Sequence, residues 1–149
     1  MFDKFMDALS VSFDLTEARQ SPIHGLGVFA KRDIPKGTVW WRGEKDVNVL
    51  LFNRQQYLHF QQSAGNSLKD AFWEVLATYS YYSRQLDSLI VCLDNARYVN
   101  HSDEPNSGPD ETQNPLLSVA LRDIKAGEEI LENYDHYDFC PWVEILKFR

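Results

Sequence analysis

Cysteine is scarce: Cys92 and Cys140 are the only two in 149 residues, and no CxxC pairing exists. That excludes a zinc site legible in the sequence and leaves one disulfide at most. No run of about 18 apolar residues occurs, so no membrane-spanning helix is expected. The first seven residues carry Asp3 and Asp7 and lack a long apolar core, unlike a signal peptide. These absences predict a soluble intracellular protein, cytoplasmic or nuclear, with reduced thiols. Basic residues are also short, 15 against 22 acids, for a net charge of −7. Direct nucleic-acid binding is not expected, because it needs a basic face to displace counterions. The charge suits a basic protein or peptide partner instead. GxSxG, P-loop and HExxH motifs are all missing. His24, His59, His101, His136 and the two cysteines show no ligand spacing, so no metal is expected.

What is present is a globular composition, 44% apolar and 13% aromatic. A chain this long makes one domain and buries roughly 70% of its unfolded surface. Without internal repeats or low-complexity tracts, it reads as short strands broken by turns. Strands are expected at 13–19, 28–30, 38–41, 89–93 and 116–121, with a last one starting at 130–131. Turns fall at 21–27 and 33–37, and a second turn like the latter falls at 123–127. Helices are expected at 54–62 and 67–83; in the latter Leu68, Ala71, Phe72, Val75, Leu76 and Tyr79 recur at helical spacing. Ser67 and Asp70 resemble a capping box. Residues 102–115 hold three of the six prolines and read as a loop. Residues 1–10 fit a short amphipathic turn and 141–148 a short terminal helix. The fold class is therefore α+β, dominated by β.

Three segments carry candidate chemistry. Gly25-Leu26-Gly27 permits positive φ and close backbone approach to a ligand. Asn100-His101-Ser102, followed by Pro105-Asn106, gathers a donor, an acceptor and a titratable ring in one turn. Glu129-Ile130-Leu131-Glu132-Asn133-Tyr134 ends a short strand on a tyrosine. Singly they are an ordinary turn, a capped loop and a packed aromatic.

In this order they resemble the SET-domain protein-lysine methyltransferases. That family carries a GxG turn, then R-F-x-N-H-S-C-x-P-N, then E-L-x-F-D-Y. Here the stretches read G-L-G at 25–27, R-Y-V-N-H-S-D-E-P-N at 97–106 and E-I-L-E-N-Y at 129–134. The family's Y-x-G step stands as Trp41-Arg42-Gly43. Asp103 replaces the usual cysteine, which fits a member lacking the post-SET zinc site. The tail from Tyr134 through Pro141-Trp142 to Lys147 is similar to the closing segment of such members.

The resemblance implies a β-clip fold of small sheets with a C-terminal pseudoknot, in which the segment near 128–135 threads beneath the loop at 98–106. One SET domain is expected over 1–149, with its core at about 14–135, a helical insertion at about 47–88 and a closing segment at 136–149. The implied activity is transfer of a methyl group from S-adenosylmethionine to a lysine amine of a basic protein, histone-like or ribosomal. A non-catalytic module that binds cofactor or a basic tail is the alternative. A structural β-clip protein unrelated to methylation is the third reading. The resemblance assigns Gly25, Leu26, Gly27, Asn100, His101, Tyr134 and Trp142 to the cofactor, with Trp142 stacking on adenine. Tyr134 is also the implied catalytic residue. Trp41, Tyr98, Glu132 and Tyr137 are the expected substrate channel, and Arg97 is expected to anchor the loop. Under about 0.1% of lysine is neutral at pH 7, so an apolar channel that desolvates the ammonium is required. Two departures bear on product multiplicity and on the hold on the amine: Glu132 replaces an aromatic, and Trp41 replaces a tyrosine. A homodimer that completes the groove is a further expectation.

Overall fold

The computed structural model describes residues 14–143 apart from 64 and 65, so the expected turn at 1–10 and most of the expected terminal helix lie outside the described residues. Among the described residues, three small sheets carry the fold. Strands β1 (Thr16–Gln20), β2 (Leu26–Ala30), β10 (Glu129–Glu132) and β7 (Asn100–His101) form the first, in that order. The second orders β3 (Val39–Arg42), β9 (Leu117–Ala120) and β8 (Ser107–Gly108). The third orders β4 (Val49–Asn53), β6 (Ser88–Cys92) and β5 (Ser80–Ser83). Helices α1 (Arg54–Ser63) and α2 (Asn66–Tyr79) lie between β4 and β5 in sequence. No helix among the described residues is long and apolar enough to cross a membrane.

The insertion is thus not purely helical, because strands β4 and β5 were not expected. The predicted helix at 67–83 ends at Tyr79, and Ser80–Ser83 is a strand. The physical reason is local. Ser80 Oγ donates to the Leu76 carbonyl at 2.6 Å, which occupies a C-terminal carbonyl of the helix. The following Ser-Tyr-Tyr-Ser then pairs with β6, where tyrosine favours a pleated surface. Central strand β6 is buried along its whole length. Its Ile90 and Cys92 face a core with Val28, Ile34, Trp40 and Ile130, while Leu89 and Val91 face a second core with Tyr57, Leu76 and Val143. The period-2 alternation of a strand puts one residue set into each core.

The two similar turns pack on each other. Ala30 to Gly37 reads A-K-R-D-I-P-K-G and Ala120 to Gly127 reads A-L-R-D-I-K-A-G. Ile34 and Ile124 exchange both backbone hydrogen bonds, at 2.7 and 2.9 Å. Gly37 N–H donates to the Ala120 carbonyl and Gly127 N–H to the Ala30 carbonyl, each at 2.7 Å. Asp33 accepts from Ala126 N–H and Asp123 from Lys36 N–H. Gly37 and Gly127 hold φ of +85° and +90°, which glycine adopts without a Cβ clash. This pair of similar turns joins the chain's two halves and so fixes where β10 enters the first sheet.

Strand β10 is the threaded element. It pairs antiparallel with β2 and parallel with β7, Leu131 opposite Asn100 and Glu132 opposite His101. Asn106, 2% exposed, clamps it: Nδ2 donates to the Glu129 carbonyl at 2.8 Å and Oδ1 accepts from Leu131 N–H at 2.8 Å. The N-H-S and Tyr134 segments are therefore side by side.

Candidate functional site

The glycine turn is built from three directions. Gly25 has φ +46°, and a Cβ there would meet open space. Gly27 is needed for another reason: a Cβ would lie 2.2 Å from Glu129 Oε1. Glu129 accepts from Asn100 Nδ2 at 2.9 Å and from Ser21 Oγ at 3.0 Å. Asn100 Nδ2 also donates to the His24 and Leu26 carbonyls, at 3.0 and 3.2 Å. Asn100 is thus the pin that ties the turn to β7 and β10. Its two amide protons are spent inside the protein.

Gly27→Ala should therefore cost roughly 2–4 kcal/mol, from overpacking and the displaced Glu129 carboxylate. Gly25→Ala should cost about 1 kcal/mol, from φ alone. Urea denaturation of the two variants checks the order; equal midpoints would contradict it.

His101 extends the pin. Its Nδ1 accepts the Tyr134 N–H at 3.1 Å, so the ring proton sits on Nε2, which donates to Asp103 at 3.1 Å. Asp135 joins the group, its carboxylate within 4.8 Å of the His101 and Asp103 ligand atoms. The His101 and Tyr134 rings lie 5.3 Å apart. Tyr134 O–H donates to the Val99 carbonyl, so its phenol oxygen can only accept further hydrogen bonds.

Tyr134 is also the wall of a cavity of about 340 Å³. Trp41, Tyr81, Glu132 and Tyr137 line the same space. Tyr81, Tyr137 and Tyr134 stack in series, with centroids 5.2 and 5.7 Å apart. Each phenolic proton is already committed: Tyr81 to the Pro115 carbonyl, Tyr137 to Glu132 Oε2, Tyr134 to the Val99 carbonyl. The cavity thus offers ring faces and oxygen acceptors, an environment that favours a cation on an alkyl stem. Glu132 is 8% exposed. Its Oε1 accepts from Ser107 and Ser118, each at 2.9 Å. Ser107 Oγ in turn accepts from Trp40 Nε1 at 2.7 Å.

Trp41 is held in the wall by Asp94, to which Nε1 donates at 3.0 Å. Asn48 Nδ2 and Ala96 N–H donate to the same carboxylate. Burial still pushes the Asp94 carboxyl above its usual range, against the pull of Asn48 and Trp41.

Two expected residues fall elsewhere. Tyr98 is not among the residues lining the cavity; its hydroxyl meets Arg97, and its ring packs edge-on to Tyr79 at 6.0 Å. Arg97 donates to the Leu93 carbonyl as well, so it does anchor the loop. Trp142 packs against Tyr57 and Tyr82 at 5.3 and 6.0 Å, in the second core. Its contacts do not include the Gly25–Gly27 turn, Asn100 or His101. Sequence reasoning missed Ser107, Ser118 and Asp94, and took Tyr81 only as one of several aromatics suited to a channel. Tyr81 was hidden in a stretch read as helix, and the serines carry no pattern of their own.

Burial, with the Glu132 charge adding to it, raises the Tyr137 and Tyr81 phenols well above their ordinary range. Their folded-state values exceed the unfolded one, so the stability they contribute is complete below about pH 10 and is lost as pH rises further. These two groups alone should lower unfolding free energy by about 3 kcal/mol per pH unit above about pH 10. Urea titrations at pH 8, 10 and 11 measure this; a flat profile would show that both phenols ionise freely.

Comparison with known proteins bears on this arrangement. The SET-domain family model matches residues 25–135. No curated protein matches. Among solved structures, a Plasmodium falciparum protein described as a candidate histone methyltransferase is 21% identical, with TM-score 0.49, over 81% of this chain and 93% of that one. Polycomb Repressive Complex 2 of Chaetomium thermophilum bound to GSK126 is 22% identical, with TM-score 0.56, over 90% of this chain and 17% of that chain. The second likeness is one of fold. The family match spans the glycine turn, the pinned Asn100-His101 segment and Tyr134, and the threaded β10 joins all three; the chain belongs to the SET-domain family.

Proposed function

We propose that the protein transfers a methyl group from S-adenosylmethionine to the side-chain amine of lysine in a basic protein, histone-like or ribosomal. The observation that carries this reading is a cavity of about 340 Å³ lined by Tyr81, Tyr134, Tyr137 and Glu132, in which every one of these phenolic protons is already committed to a protein acceptor. A lysine stem fits the ring faces, and its ammonium finds the Glu132 carboxylate among the lining groups.

The residues on the other flank of Tyr134 fit the cofactor. Gly25 leaves open space beside backbone carbonyls that Asn100 holds in place, and Leu26 is exposed next to them. Gly25, Leu26 and Gly27 would hold the cofactor through backbone, with the β7 backbone at Asn100 and His101 beside them. Asn100 and His101 act through their side chains as positioning residues. When bound, the cofactor supplies an electrophilic methyl on a sulfonium. Tyr134, shared by turn and cavity, accepts rather than donates at its phenol oxygen and so orients an amine or a polarised methyl. The net charge of −7 draws basic substrates by long-range attraction.

Calorimetric titration with S-adenosylmethionine tests the cofactor half of this reading. Saturable one-site binding is expected, weakened when Asn100→Ala releases the turn. Absence of binding to the parent protein would overturn the reading.

A further inference from the structure

Glu132 is a buried carboxylate with no cationic partner among the described residues. It accepts hydrogen bonds from Ser107, Ser118 and Tyr137, yet among the described residues no Lys, Arg or His forms an ion pair with it. Arg97 lines the same cavity, but its guanidinium is directed to the Leu93 carbonyl and the Tyr98 hydroxyl. A buried charge is ordinarily neutralised by a partner or retained for a purpose. Its neighbours in the cavity wall are Tyr81, Tyr137, Trp40 and Trp41, and its carboxylate satisfies the Ser107, Ser118 and Tyr137 hydroxyls. The three hydrogen bonds use three of a carboxylate's roughly four acceptor positions. One position is left, and Glu132 lines the cavity.

We propose that Glu132 is the anionic anchor and proton acceptor for the target lysine. This rests on the reading that a lysine enters this cavity. The ammonium supplies the cation that the carboxylate lacks and is drawn to the Tyr134–Tyr137 wall. There its N–H bond breaks and the proton moves to Glu132, leaving carboxylic acid and neutral amine. The amine lone pair is then available for attack on an electrophilic methyl. Because the methylated product is itself an ammonium, Glu132 accepts one proton per turnover and returns it to water when the product leaves. The other titratable groups facing this point are Tyr81, Tyr134, Tyr137 and Cys92. Asp94 acts on the same Tyr81 and Cys92, and His136 and Asp138 line the cavity. Cys92 and the Tyr81 and Tyr137 phenols hold their protons through neutral pH, since burial raises all three. Asp94 is already committed to Trp41, Asn48 and Ala96. Glu132 is thus a cavity-lining acid with an acceptor position to spare.

The test compares binding of two otherwise identical basic peptides, one with lysine and one with norleucine at the central position, by calorimetry. The parent protein should prefer lysine by at least tenfold. Glu132→Gln, which keeps the size and the serine contacts, should lose that preference, while Glu132→Asp should keep most of it. Turnover of E132Q on the lysine peptide should fall about 100-fold at neutral pH, the usual scale of general-base loss. It should then climb with pH beyond the point where the parent levels off, because only spontaneously neutral amine reacts. An unchanged lysine preference in E132Q, or equal loss in both variants, would overturn the proposal. If the parent binds neither peptide, the cavity does not take lysine, and the broader reading fails first.

Discussion

Tyr134→Phe should reduce methyl transfer at least 100-fold while S-adenosylmethionine affinity stays within about threefold. The asymmetry follows from where the phenol oxygen sits. The Tyr134 backbone N–H holds His101, and that bond survives the substitution, so the pinned turn at 24–27 keeps its shape. The lost oxygen belongs to the cavity and to the Val99 carbonyl. Removing one preorganised polar group at a reacting centre typically costs 10²–10³ in rate. The orphaned carbonyl costs roughly 1–3 kcal/mol of stability, which thermal unfolding will register separately. Equal losses of affinity and rate would mean that Tyr134 serves only to build the site. An unchanged rate would remove it from the transfer step.

The largest effect on stability is expected at Asn106. Asn106→Ala should lower unfolding free energy by roughly 2–6 kcal/mol, because it orphans both the Glu129 carbonyl and the Leu131 N–H inside the sheet. Against the usual 5–15 kcal/mol for a domain, that is a large share. At about 3 °C per kcal/mol for this size, the melting midpoint should fall by roughly 6–18 °C. Asn106→Asp should not rescue it, since a carboxylate keeps the acceptor for Leu131 but cannot donate to Glu129. A midpoint within 2 °C of the parent in either variant would show that β10 is held without the clamp. That would contradict the account of how the N-H-S segment and Tyr134 are brought together.

Much of this was legible from residues in order. The glycine turn, Asn100-His101 and Tyr134 were found because spacing and residue type survive in a linear chain. The turn at 33–37 and its counterpart at 123–127 were both recognised as turns. Their pairing was not, because a hydrogen bond between Ile34 and Ile124 has no trace in local pattern. Strand β5 was misread because Tyr79, Tyr81 and Tyr82 extend the apolar spacing of α2. The break is set by one side chain, Ser80, bonding back to Leu76. The two-residue strands β7 and β8 offer no periodicity at all; they exist because β10 and β9 lie beside them. The side-chain partners of Asn100 and His101 were illegible for a similar reason. Their residue types suggest ligand contact, whereas their partners, Glu129 and Asp103 among them, are visible only in three dimensions. Glu132 reads in sequence as a departure from the family pattern. In the fold it is the one acid held by Ser107, Ser118 and Tyr137 against a tyrosine wall.

Mass spectrometry of a mixed panel of histone and ribosomal proteins, incubated with the purified protein and S-adenosylmethionine, tests the central claim most directly. The account predicts mass gains in steps of one methyl, mapped to lysine side chains and lost in Tyr134→Phe. Cofactor binding with no gain on any basic protein, or methyl groups mapped to residues other than lysine, would contradict it.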